Sequence, residues 1–241
     1  MKETLQFLAE LSGNNNREWF TANKERYTAC RKRFEHFSED YIRRLTIIDP
    51  TLEGLTPKDC IWRIYRDVRF SADKRPYKEW FGVFPAQHGG KKSMHAGYYF
   101  HIQPGHCLFA GGIWCPSPDL LKTLRREILA NWDEVDRIMT ASSWQRYFGD
   151  FDTDWMLKKV PSEMVSALDN LRAGNTLSTA ASDRLEGWLK RKAFTFSTPL
   201  TDEAVCAPDL LDRLAVIAAA AKPMNDFLNY TFEEYGEFPC R

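Results

Sequence analysis

The apolar residues of this chain change their spacing twice, and that change limits the fold more than any other feature. Trp19, Asn23, Tyr27, Cys30, Phe34, Phe37, Tyr41 and Leu45 advance by steps of three or four, one stripe of a helix that runs to about residue 47. Asp49-Pro50 stops it, because proline lacks the N–H that would continue the ladder. A shorter helix over about residues 3–12 carries Leu5, Leu8 and Leu11 on one side. In the SGNNN turn between them, Asn15 followed three positions on by Glu18 has the form of a capping box. From about residue 60 the period falls to two. IWRIYRDVRF (61–70) sets Trp62, Ile64, Val68 and Phe70 on one face of a strand, and WFGVFP (80–85) is a short second one. AGYYFHIQPGHCLFAGGIW makes two further strands joined at Pro104-Gly105. With Gln103 facing His106, Tyr98, Phe100 and Ile102 share a face with Cys107, Phe109 and Gly111, while Tyr99, His101, Gln103, His106 and Ala110 take the other.

Helical spacing then returns. Ser117 is placed as an N-cap, Pro118 at the first helical position and Asp119 in the first turn. Further helices fall near residues 132–140, 161–173, 181–191 and 207–221. This order predicts an α+β fold: a central, mainly antiparallel sheet over about residues 60–115, packed with N- and C-terminal helices, in a single domain covering 1–241. At 44% hydrophobic and 14% aromatic, a chain of 241 residues can bury a sizeable core.

The remaining bulk properties exclude function classes. Thirty-three basic and 33 acidic residues leave no net charge, which argues against a general nucleic-acid binder. MKETLQFLAELSG is interrupted by Glu3 and Glu10 and does not read as a signal peptide. The longest apolar segment, residues 214–221, is far short of the roughly 20 residues that span a bilayer, so no membrane partner is expected and a cytoplasmic location is. The six cysteines, Cys30, Cys60, Cys107, Cys115, Cys206 and Cys240, form no C-x-x-C pair and are expected to be free thiols. His88, His95, His101 and His106 cluster near Cys107 and Cys115 without a metal-ligand spacing, so no metal is expected and the histidines read as hairpin-surface residues. No dinucleotide, P-loop, nucleophile-elbow or H-E-x-x-H pattern implies a cofactor.

Chemistry concentrates in RIYRDVRFSADKRPYK, residues 63–78, where six cationic side chains accompany two carboxylates. As a strand, 63–69 sets Arg63, Tyr65, Asp67 and Arg69 on one face and turns Arg66 into the apolar one. A buried guanidinium requires a carboxylate or several carbonyls, and Asp73 is the candidate within the segment. Ser71, Asp73 and Pro76 read as a loop that folds Lys74, Arg75 and Lys78 back towards the arginines. Guanidinium forks match phosphate or carboxylate oxygens in bidentate fashion. The segment is therefore read as a pocket for a small anionic molecule, with Arg63, Tyr65, Arg66, Arg69, Asp73, Lys74, Tyr77 and Lys78 as ligand-binding residues. Asp67, Lys74 and His101 are the candidate catalytic groups, although no reaction is specified. Arg17, Asn23 and Lys24 are an alternative wall for that pocket; otherwise Asn23 is hydrogen-bonded inside and the charges of the long helix, Arg31 included, form a solvated face. Two other readings stay open: a surface that binds nucleic acid or an acidic partner, and an interaction protein whose Arg/Asp network is structural. The oligomeric state is open.

The pattern R-x-Y-R-D-x-R-F-S-x-D-K-x-P-Y-K, residues 63–78, resembles the signature of a widespread family of bacterial and fungal proteins catalogued as a domain of unknown function, family 2461. The resemblance extends to NNNREWFTANKERY, to GYYFHIQPG and GGIW, and more faintly to LKKVP and LKRKAF. It implies that Arg63, Arg66, Asp67, Arg69, Phe70, Asp73, Lys74 and Tyr77 are the family's marked positions, and it brings no activity or cofactor with it.

Overall fold

The computed structural model describes residues 1–149, 155–174 and 177–236. The fold is α+β, with a four-stranded antiparallel sheet in the order β1-β2-β3-β4. The strands are β1 (Phe81–Val83), β2 (Gly97–Ile102), β3 (Cys107–Ile113) and β4 (Phe194–Leu200). Four α-helices precede β1: α1 (Lys2–Gly13), α2 (Arg17–Ala22), α3 (Lys24–Ile48) and α4 (Pro57–Cys60). Among the described residues five lie between β3 and β4: α5 (Pro118–Ala130), α6 (Trp132–Thr140), α7 (Ser142–Tyr147), α8 (Ser162–Ala173) and α9 (Thr179–Lys190). After β4 come α10 (Asp202–Cys206) and α11 (Leu210–Tyr235).

Residues group into two compact units. The first comprises Met1–Ser93, Gly97–Ala110 and Ser197–Ala219; the second comprises Met94–Ala96, Gly111–Phe196 and Ala220–Arg241, within the described residues. In the first unit Leu8 and Leu11 of α1, Phe34, Tyr41 and Leu45 of α3, and Phe100 of β2 are fully buried. The buried faces of the hairpin are those the alternation predicts: Tyr98, Phe100 and Ile102 with Cys107 and Phe109. His106 N donates to Gln103 O at 2.8 Å across the Pro104-Gly105 turn. Tyr98 Oη donates to Asp49 Oδ2 at 2.8 Å, tying the end of α3 to the strand.

In the second unit Leu124 of α5, Val135 of α6, Trp144 of α7, Leu168 of α8, and Leu185 and Trp188 of α9 are buried. Ser117 caps α5 by accepting from Leu120 N, with Pro118 at the first position as the sequence predicts. Asn225 of α11 accepts from Gly112 N at 2.9 Å. Asn229, one turn on, bonds both backbone groups of Ala96, at 2.7 and 3.2 Å. His95 stacks on Phe232 with ring centroids 3.9 Å apart, so it is a buried packing residue and not one on the hairpin surface.

Several expectations are corrected. The long N-terminal helix is two, α2 and α3, divided at Asn23, whose Nδ2 donates to Trp19 O at 2.9 Å and so competes with the ladder. Asn16, not Asn15, caps α2. Residues 61–70 are not a strand: only isolated bridges form, Ile61 with Val83 and Tyr65 with Tyr77. Arg66 N bonds Pro76 O at 2.9 Å and Lys78 N bonds Ile64 O at 2.7 Å, so the segment pairs with its own continuation and then diverges. Phe70, expected on an apolar face, is 97% exposed. The helix expected over 207–221 extends to Tyr235 and carries Pro223 within it, on an exposed position. The strand β4 and the short helices α7 and α10 have no counterpart in the spacing of apolar residues. Cys240 lies outside the described residues, and Cys30, Cys60, Cys107, Cys115 and Cys206 are free.

Candidate functional site

The local fold of residues 63–78 follows from its own charges and from one asparagine. Asn15, in the turn before α2, imitates a paired strand: its Nδ2 donates to Tyr77 O at 3.0 Å and its Oδ1 accepts from Tyr77 N at 3.1 Å. The same Nδ2 reaches Glu79 Oε1 at 2.8 Å. The Tyr77 ring stacks on Phe20 of α2 at 3.9 Å and 14°. The NNN turn thus holds the base of the arginine segment against the N-terminal helices.

Above that base the expected partner for Arg66 is present. Its Nη1 donates to Asp73 Oδ2 at 2.7 Å and to Arg75 O at 3.2 Å. Arg75 grips the same carboxylate and reaches Glu79 Oε1 at 2.6 Å. Arg75 first, and Arg66 with it, hold the Asp73 carboxyl well below the usual carboxylate range. The chain Arg66–Asp73–Arg75–Glu79 closes the loop on itself. Further out, Arg69 makes a bidentate pair with Asp67 at 3.0 and 2.7 Å, which lowers the Asp67 pKa. Lys74 Nζ donates to Val68 O at 3.0 Å. These groups are largely committed to one another.

Arg63 and Lys78 differ. They line an open cleft of about 600 Å³ together with Tyr27, Arg31 and Glu35 of α3, Ile61, Trp62 and Lys91. Among the described residues the exposed guanidinium of Arg63 has no hydrogen-bond or ion-pair partner. Lys78 Nζ donates to Arg63 O at 2.7 Å and Tyr65 O at 3.2 Å, and lies 5.5 Å from the centre of the Trp80 ring. Burial first, then Arg63 and Arg66, hold the Lys78 ammonium below the ordinary lysine pKa. Lys91 Nζ donates to the carbonyls of Lys58 and Asp59. Burial also lowers its pKa. Arg31, expected on a solvated face, is instead 20% exposed at its side chain; it bonds Glu35 at 2.7 Å and Trp62 O at 2.8 Å.

Of the ligand-binding residues expected from sequence, Arg63 and Lys78 therefore share the cleft. Tyr65, Arg66, Arg69, Asp73, Lys74 and Tyr77 lie in the adjoining loop and its base, and do not line it. Arg17, Asn23 and Lys24 are also outside its lining. Asp67 and Lys74 are engaged as described. His101 is half-buried: Gln103 Oε1 lies 3.2 Å from its Nε2 and the Tyr99 hydroxyl 2.6 Å from its Nδ1. Burial holds this imidazole below its ordinary pKa and pushes the Tyr99 phenol well above its own. The pair sits behind the cleft wall, with Trp80 5.2 Å from His101 and Trp62 meeting Tyr99 at 5.5 Å and 90°.

Tyr27, Arg31 and Glu35 were legible as a constellation, since steps of four align them on one helix face. Nothing in the sequence signals Lys91. Among the described residues no group of three or more histidine, cysteine or acidic side chains is placed to hold a metal. No described helix is long and apolar enough to cross a membrane.

Comparison with curated proteins and with solved structures finds no match. A family model described as "Conserved hypothetical protein (DUF2461)" matches residues 3–227, nearly the whole length over which the Arg63–Lys78 loop, the Asn15 clamp and the sheet are built, and the chain belongs to that family.

Proposed function

We propose that the protein binds a small phosphate- or carboxylate-bearing molecule in the cleft walled by Arg31, Arg63, Lys78 and Lys91. The observation that carries this reading is Arg63, an exposed guanidinium with no partner among the described residues, facing a cleft where four cations meet one carboxylate. That carboxylate, Glu35, is already held by Arg31. Bringing like charges together is unfavourable unless an anion offsets them. The Arg66–Asp73–Arg75–Glu79 chain serves this site by fixing the loop that carries Lys78. The reading includes a cytoplasmic setting, which the free thiols of Cys30, Cys60 and Cys107 support.

Thermal-shift titration with inorganic phosphate and citrate tests it. The wild type should gain several degrees at saturating anion. Arg63→Ala should lose most of that gain without a large change in its own midpoint, since no partner is stranded. Arg69→Ala, outside the cleft, should keep the gain. An unresponsive wild type, or an Arg63→Ala protein that responds in full, rejects the reading.

A second reading rests on Phe70, 97% exposed with the Arg69 guanidinium 5.8 Å from its ring centre. An aromatic beside cations at a loop tip suits docking to an acidic partner, in which case Phe70→Ala would abolish partner capture and leave the anion response intact.

A further inference from the structure

We infer that the anion taken by this cleft carries an aromatic ring, a nucleoside monophosphate being the class that fits, with the ring lying on Trp62. The inference rests on the anion reading above and narrows it. Volume is the first reason. At about 600 Å³ the cleft is the size of sites that hold organic ligands, and it has room for roughly twenty waters, so a bare phosphate would leave most of it unfilled.

The second reason is the division of the wall. Arg63, Lys78 and Lys91 bring cationic charge suited to a phosphate dianion more than to a single carboxylate, while Ile61, Trp62 and Tyr27 supply an apolar and aromatic portion. The third is how Trp62 is held. It is half-buried, yet fixed from several sides: Trp80 and Tyr99 meet it edge-on at 6.1 and 5.5 Å, Phe84 lies offset at 6.3 Å, and its carbonyl is gripped by Arg31 Nη1. Gly82 belongs to the same support, because a Cβ there would lie 2.8 Å from the Tyr99 ring and 3.0 Å from Trp80. A large indole locked in place at the edge of a cleft is a pre-organised stacking platform, and its ordering cost is met before any ligand arrives. Trp62 and Arg63 line the same cleft, so a ring on one and a phosphate on the other call for a spacer such as a pentose.

Isothermal titration with AMP, ribose 5-phosphate, adenosine and inorganic phosphate tests this. Stacking of one base is worth at least about a factor of five, so AMP should bind the wild type at least about fivefold more tightly than ribose 5-phosphate. Trp62→Leu should reduce AMP to the level of ribose 5-phosphate and leave ribose 5-phosphate itself unchanged. Should Trp62→Leu fail to fold, Trp62→Phe should retain part of the preference, and the wild-type ratio decides alone. Equal binding of AMP and ribose 5-phosphate to the wild type, or a ratio that survives Trp62→Leu, overturns the ring inference while leaving the anion reading standing. If neither phosphate ester nor inorganic phosphate binds, the anion reading falls and this inference with it.

Discussion

Asp73 shows how much one carboxylate does in a loop with no regular secondary structure. It accepts from Arg66, from both sides of the Arg75 guanidinium and from Arg75 N. Because its folded pKa is depressed, its contribution to stability is present above the unfolded value and is lost as pH falls through the range below about 4. Asp73→Asn should therefore have a lower urea midpoint than wild type at pH 7, and the gap should narrow at pH 3. A gap of the same size at both pH values would mean that charge is not what Asp73 contributes. The partially exposed pair is screened by solvent, so the effect is expected to be modest. At this scale the sequence was informative for Arg66, whose expected carboxylate, Asp73, is its partner, although the buried strand face from which that expectation was argued does not form. It was uninformative about what joins Arg63 in the cleft, since its neighbours along the chain say nothing of Arg31 and Lys91 arriving from α3 and from the turn after β1.

Among the elements, period and capping located most helices and the β2–β3 hairpin. They failed for residues 61–70 because Arg63, Tyr65, Asp67 and Arg69 alternate with Trp62, Ile64, Val68 and Phe70 as a strand does, yet the bonds of Arg66, Asp67 and Arg69 go to the loop 73–76 and to each other. They failed for β4 because Pro199 lies within KAFTFSTPL and weakens the strand pattern. The close meeting of β3 and β4 is set by Gly112, which has φ +91° and where a Cβ would fall 1.9 Å from Phe194 O. Backbone cannot yield there as a side chain would. Gly112→Ala should cost more than about 2 kcal/mol, from the left-handed φ and the clash together. Chemical denaturation measures it, and a cost under about 1 kcal/mol would show that the strands part without penalty. Gly111→Ala, which meets the Phe196 ring at 2.5 Å, gives a comparison in which a side chain can move.

Over the whole molecule, the α+β class was legible because the spacing of apolar residues changes where the sheet begins and ends. The division into two units was not, since neither is continuous in sequence: the chain passes between them five times, through β3, β4 and α11 among other places. Met94–Ala96 is a three-residue excursion into the second unit, secured by Asn229. A variant ending at Phe196 lacks the last part of the first unit as well as the end of the second. It should show no cooperative thermal transition by circular dichroism; a sharp transition would mean that Met1–Ala110 closes a core without Ser197–Ala219.

The same threading has a consequence for how the protein is born. Ser93 leaves the ribosome early, but the first unit is complete only when residue 219 of 241 has been made. At about 5–20 residues per second, the N-terminal helices and the arginine loop wait roughly ten seconds with an unfinished core. During that interval the nascent chain exposes apolar surface that the finished protein hides, so its yield in the cell depends on chaperone capacity and elongation rate as well as on the stability of the final fold.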